Sequence, residues 1–83
     1  MDVTVCTLAS ASTGKVYRIC EIRPSALASL LGEMGIHTGQ EIRVLARAPW
    51  SGPVAIQTRE LRFSLRPEEA VGILLEVQAG NQL

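Results

Sequence analysis

From Glu41 the chain alternates in polarity. Ile42, Val44, Ala46 and Ala48 fall on one side, and Glu41, Arg43, Leu45 and Arg47 on the other. A period of two is the mark of a strand with one face on a core. The pattern resumes with Val54, Ile56 and Thr58 set against Ala55, Gln57 and Arg59. After a tight turn near Glu60, Leu61, Phe63 and Leu65 alternate with Arg62, Ser64 and Arg66. VYRICEI (16–22), rich in strand formers, predicts an earlier strand, and Ile73, Leu75 and Val77 predict a last one. QAGNQL (78–83) reads as a fraying tail.

One stretch changes period. Leu27, Leu30, Leu31 and Met34 recur at i, i+3, i+4 and i+7, one apolar face of a helix that starts near Pro24 and Ser25. Gly35 follows where a helix C′ residue takes positive φ. Ile36 stands at C″, placed to touch Leu31, so the helix is predicted to stop at Met34 in a Schellman ending. HTGQ (37–40) then puts Gly39 where a type II turn needs positive φ. RPEEA (66–70) reads as a single helical turn with Pro67 early and acids at its N-terminus. About five short strands with one helix after the first predict a mainly β fold, a small closed barrel. Closure would remove sheet edges.

With 83 residues there is room for one small domain and not two. Eight basic residues balance eight acidic ones. A neutral chain lacks the field that draws proteins to nucleic acid or anionic lipid. Its aromatics, Tyr17, Trp50 and Phe63, are too few for a base-stacking platform. No apolar run approaches the ~20 residues that cross a bilayer. The opening MDVTVCTLAS has no positive n-region, so no signal peptide is expected and the chain reads as cytosolic. Cys6 and Cys20 make no disulfide framework and are expected to be reduced thiols. With 47% hydrophobic residues, some apolar surface is expected to stay exposed.

The run LGEMGIHTGQEIRVLARAPWSGPVAI, followed by FSLRPEEAVGIL, resembles the FeoA family, small cytosolic accessories of the bacterial ferrous-iron transporter FeoB. The matching elements are Met34-Gly35-Ile36, Gly39, Ile42, Val44, Pro49, Gly52-Pro53, Ser64-Leu65-Arg66 and Glu69-Ala70, with Leu8, Gly14 and Tyr17-Arg18-Ile19 ahead of them. Their order and spacing, over about residues 8–77, are more specific than any one piece. The chain departs from the family at Arg59-Glu60, where glycine is usual. A turn needing positive φ would strain Glu60. The resemblance implies an SH3-like barrel with a helix inserted after the first strand. It also implies contact with the transporter's cytosolic G-protein region, reaching the membrane only through that partner, and no chemistry or cofactor of its own. The same barrel forms the C-terminal module of iron-dependent repressors, so a metal-responsive regulatory domain is the alternative. No helix-turn-helix pattern stands ahead of the barrel.

Candidate chemistry adds little. His37 is the single histidine, too few ligands for a ferrous site of two histidines and a carboxylate. Cys6 and Cys20 lack paired metal-ligand spacing. Gly35 and Gly39 precede a strand, not a helix N-terminus, so no phosphate loop is present and GTP binding is not expected. No triad or acid–base pair can be assembled, and the chain reads as a non-enzyme. Arg43, Arg47, Arg59, Arg62 and Arg66 read as an outward stripe, interleaved with Glu41, Glu60 and Glu76 as a solvated face that can still meet an acidic partner. The remaining candidate is APWSGPV (48–54). Pro49, Ser51, Gly52 and Pro53 stiffen a loop that carries Trp50. Trp50 shares parity with Ala46 and Ala48, so it either lids the barrel end or is presented as an interface anchor. Leu27, Leu31 and Met34 are expected in the core. Leu30, Leu45 and Leu74 are expected outside, where Leu30 and Leu74 would dock a partner or a second copy of the chain.

Overall fold

A computed structural model describes residues 5–77; the fraying expected at 78–83 lies outside them. Six strands form one antiparallel sheet: β1 (Val5–Thr7), β2 (Val16–Ile22), β3 (Glu41–Arg47), β4 (Val54–Gln57), β5 (Arg62–Leu65) and β6 (Ile73–Val77). Their order is β1-β6-β2-β3-β4-β5. Helix α1 (Ser25–Glu33) follows β2, and the single turn α2 (Pro67–Ala70) joins β5 to β6. This is the small, mainly β architecture that the pattern predicts, arranged as the SH3-like fold that the resemblance implies, with two corrections. β1 is a sixth strand, so α1 follows the second strand and not the first. The sheet is also not closed: among the described residues β1 and β5 are its two edges. Both edges are short, and β5 carries Arg62, features that blunt edge-to-edge pairing.

The inward positions make the core. Tyr17, Ile19 and Ile22 of β2, Ile42 and Val44 of β3, Val54 and Ile56 of β4, Leu65, and Ile73 and Leu75 of β6 are buried together with Leu8, Leu31, Ile36 and Ala70. Tyr17 keeps its polar end satisfied, since its hydroxyl accepts from the Ser12 N–H at 2.9 Å. That bond pins the turn ahead of β2 to the sheet.

α1 ends as its sequence predicts. The Ile36 N–H donates to the Leu31 carbonyl at 2.9 Å and the Gly35 N–H to Gly32 at 3.1 Å, the bond pair of a Schellman motif. Gly35 and Gly39 both have positive φ, +92° and +87°. α2 is closed by Glu69, whose Oε1 accepts from the Arg66 N–H at 2.8 Å. Met34 is a correction: placed in the core by periodicity, it is the C-cap and is 41% exposed. The turn at Arg59-Glu60 does not require positive φ at Glu60: Trp50 and Ser51 are the non-glycine residues with positive φ among those described. The turn at 58–61 is held instead by Thr58, whose hydroxyl accepts from the Leu61 N–H at 3.2 Å.

Two bulges bend the sheet and break the alternation. In β2 the register against β6 shifts between Ile19 and Glu21. In β3 the register against β4 shifts between Val44 and Ala46, so that Val44 faces Ile56 but Ala46 faces Ala55 and Arg47 faces Val54. Opposed residues share a face of the sheet. Arg47 therefore lies with buried Val54, whereas Ala46 is exposed, the reverse of the parity expected for both. Leu45, expected outside, is half-buried at the bulge.

Candidate functional site

The β3 bulge turns Arg47 onto a part-buried task. Its guanidinium donates to the carbonyls of Leu8, Ala9 and Ala11, the polar groups of the 3₁₀ turn Leu8–Ser10 and the residue after it. Arg47 thus leaves the outward arginine stripe and ties the N-terminal turn to the base of the loop that joins β3 to β4.

That loop is the hairpin connection over 48–53. The Ala48 N–H donates to the Pro53 carbonyl at 2.9 Å and closes its neck. At its tip Trp50 and Ser51 both have φ of 58°. Successive left-handed residues suit the twist of a hairpin but usually fall to Asn and Gly. A tryptophan there is an outlier that the closed neck must hold, and such strain gathers at functional positions. Trp50 is 94% exposed, so the lid alternative is overturned. Its physical reason is the bulge, which removes the inward parity on which the lid rested.

Beside the loop lies a small pocket of about 190 Å³, lined by Ala9, Arg47, Gly52, Pro67, Ala70 and Val71 among others. Val71 is 58% exposed and extends the apolar surface next to the pocket. Neither Arg47 nor Val71 is identifiable as part of this site from the sequence, because a bulge and a helix exit place them there. The structure brings Pro49, Trp50, Ser51, Gly52 and Pro53 together. Leu30 and Leu74 it does not join to them: Leu30 stands on α1, 51% exposed, and Leu74 is half-buried on β6 opposite Thr7 and Glu21.

The arrangement offers contact chemistry. Among the described residues no three His, Cys, Asp or Glu side chains group as metal ligands. Cys6 and Cys20 are free. Burial, and then Cys20, push the Cys6 thiol up, against a smaller opposing pull from Arg47. This favours the neutral thiol over the thiolate that coordination or nucleophilic attack needs.

The model of the FeoA domain matches residues 6–77. The chain belongs to the FeoA family. Within it, a FeoA-like protein from Clostridium acetobutylicum is 30% identical, with the similarity covering 100% of this chain and 96% of that one at a TM-score of 0.81. The FeoA protein from Chlorobium tepidum is 23% identical over 93% of this chain and 74% of that one, at 0.79. A manganese-dependent transcriptional repressor shares the fold at 18% identity and 0.82, the match covering 94% of this FeoA-family chain but 44% of the repressor. No curated protein sequence matches the chain. FeoA domains are small accessory domains of ferrous-iron transport and not a known enzyme class. No helix among the described residues is long and apolar enough to cross a membrane.

Proposed function

We propose that this FeoA-family protein is an accessory and regulator of ferrous-iron uptake that acts by binding a FeoB-type transporter. The contact is with the transporter's cytosolic G-protein region, so the protein works in the cytoplasm and reaches the membrane through its partner. The observation that carries the reading is Trp50, 94% exposed at the tip of a closed hairpin. A large aromatic held in solvent contributes little to the free fold, and its burial is reserved for a complex. Tryptophan is enriched among residues that dominate binding energy, clustered near small pockets and ringed by weaker contacts. Here the adjoining pocket and Val71 supply that setting, and Pro49 and Pro53 reduce the entropy lost on docking.

The test is capture of the purified protein by the immobilised cytosolic region of the transporter. The wild type should bind, and Trp50→Ala should bind about 30-fold more weakly, equivalent to ~2 kcal/mol. Its melting temperature should stay within about 2–4 °C of wild type, since exposed substitutions fall within about 0.5 kcal/mol. Failure of the wild type to bind contradicts the reading. Binding that is indifferent to Trp50 contradicts the role of the loop.

A further inference from the structure

At the other end of the β3–β4 hairpin the outer face of the sheet forms an open depression of about 730 Å³. Its floor lies four to five residues of strand from the Trp50 loop, on the order of 15 Å away. Val16, Arg43 and Gln57 stand in one cross-strand row on β2, β3 and β4, and they form its floor. Arg59, in the turn just after β4, lines the same depression, as do Arg18 and Glu41, opposed on β2 and β3.

The charges in this depression are uneven. Glu41 is engaged by Arg18, with Oε2 3.4 Å from Nη2. Arg43 and Arg59 are exposed, and among the described residues neither has an ion pair or side-chain hydrogen bond; the Gln57 amide between them is likewise unused. Arg43 and Arg59 line one depression. Two guanidinium groups that share a depression without a counter-ion repel, and an anion placed between them relieves the repulsion and accepts from both. The guanidinium fork matches a carboxylate in two-point fashion. The floor holds no aromatic ring on which a base could stack, which disfavours single-stranded nucleic acid. Its length across three strands suits several residues of extended peptide.

We propose that this depression docks an acidic, extended segment of a partner protein, with side-chain carboxylates held by Arg43 and Arg59 and a peptide group held by the Gln57 amide. The site is independent of the Trp50 loop and stands or falls apart from the reading of that loop.

The probe is a fluorescein-labelled peptide of alternating glutamate and serine, followed by fluorescence anisotropy with the full chain. The same peptide with glutamine in place of glutamate, a single-stranded oligonucleotide and inorganic phosphate serve as comparisons. The acidic peptide should bind saturably, weaken as salt is raised, and lose at least about tenfold in affinity in the Arg43→Gln/Arg59→Gln double variant. Arg66→Gln, outside the depression, should leave the affinity unchanged. Amide resonances of unaltered protein should shift at Arg43, Gln57 and Arg59 and not at Trp50, a readout that needs no variant to fold. Equal binding of the glutamine peptide, tighter binding of the oligonucleotide, or full competition by phosphate at concentrations equal to the peptide's would each overturn the proposal. So would an absence of saturable binding.

Discussion

Replacing Arg47 by leucine should destabilise the fold by roughly 3 kcal/mol, read as a shift in the urea midpoint. Arg47 supplies the donors for three carbonyls, of Leu8, Ala9 and Ala11, in a part-buried position. Leucine keeps much of the stem's packing but leaves those oxygens without partners, and each buried unsatisfied group costs about 1–3 kcal/mol. The sum stays well below three full penalties because the turn can relax toward water. Arg43→Leu is the natural comparison. Arg43 sits on the same strand but is exposed and makes no such bonds, so its loss should stay within about 0.5 kcal/mol. Equal effects at the two positions would mean that Arg47 is not the clamp the structure shows.

The second large effect is expected at Gly72, which opens β6 against the junction of β2 and α1. Its carbonyl accepts from the Arg23 N–H at 2.8 Å, and a Cβ at this position would lie 2.1 Å from the Arg23 carbonyl oxygen and 3.1 Å from Leu27 Cδ2. Gly72→Ala therefore has to push two backbones apart, and a loss of about 3 kcal/mol is expected, the upper end for overpacking. Gly32→Ala should act in the opposite direction. Gly32 lies within α1 with nothing inside 4 Å of a built Cβ. Alanine there should stabilise by about 0.5–1 kcal/mol through helix propensity. Thermal melts of the two variants should move to opposite sides of wild type; a common direction would contradict the packing described.

Why the sequence discloses some of this and not the rest follows from the range of each signal. The end of α1 is legible because Met34, Gly35 and Ile36 carry the whole motif in adjacent positions. β4 is legible because Val54, Ile56 and Thr58 alternate without interruption and are all buried. Arg47 is not, because a bulge is defined by the partner strand: Val44, Leu45, Ala46 and Arg47 continue an unbroken alternation until β4 is set beside them. The same limit hides β1, whose three residues become a strand only through pairing with β6. Strand count predicts barrel closure, yet closure depends also on strand tilt and register, which the count does not carry, and β1 and β5 do not pair. For the candidate site, the loop residues announce themselves by composition. The direction of Trp50 does not, since left-handed φ at Trp50 and Ser51 leaves no trace in residue type. The pocket beside it is assembled from four separate segments and has no sequence signal at all.

The central claim is that Trp50 is held in solvent in order to be buried against the transporter. Because Trp50 is the single tryptophan, protein labelled with 5-fluorotryptophan gives one fluorine resonance. Titrating that protein with the unlabelled cytosolic region of a FeoB-type transporter reads this side chain alone. A solvent-exposed resonance in the free protein should shift and broaden to saturation as the complex forms. A complex that forms, by sedimentation of the same samples, while the resonance stays at its free position would contradict it.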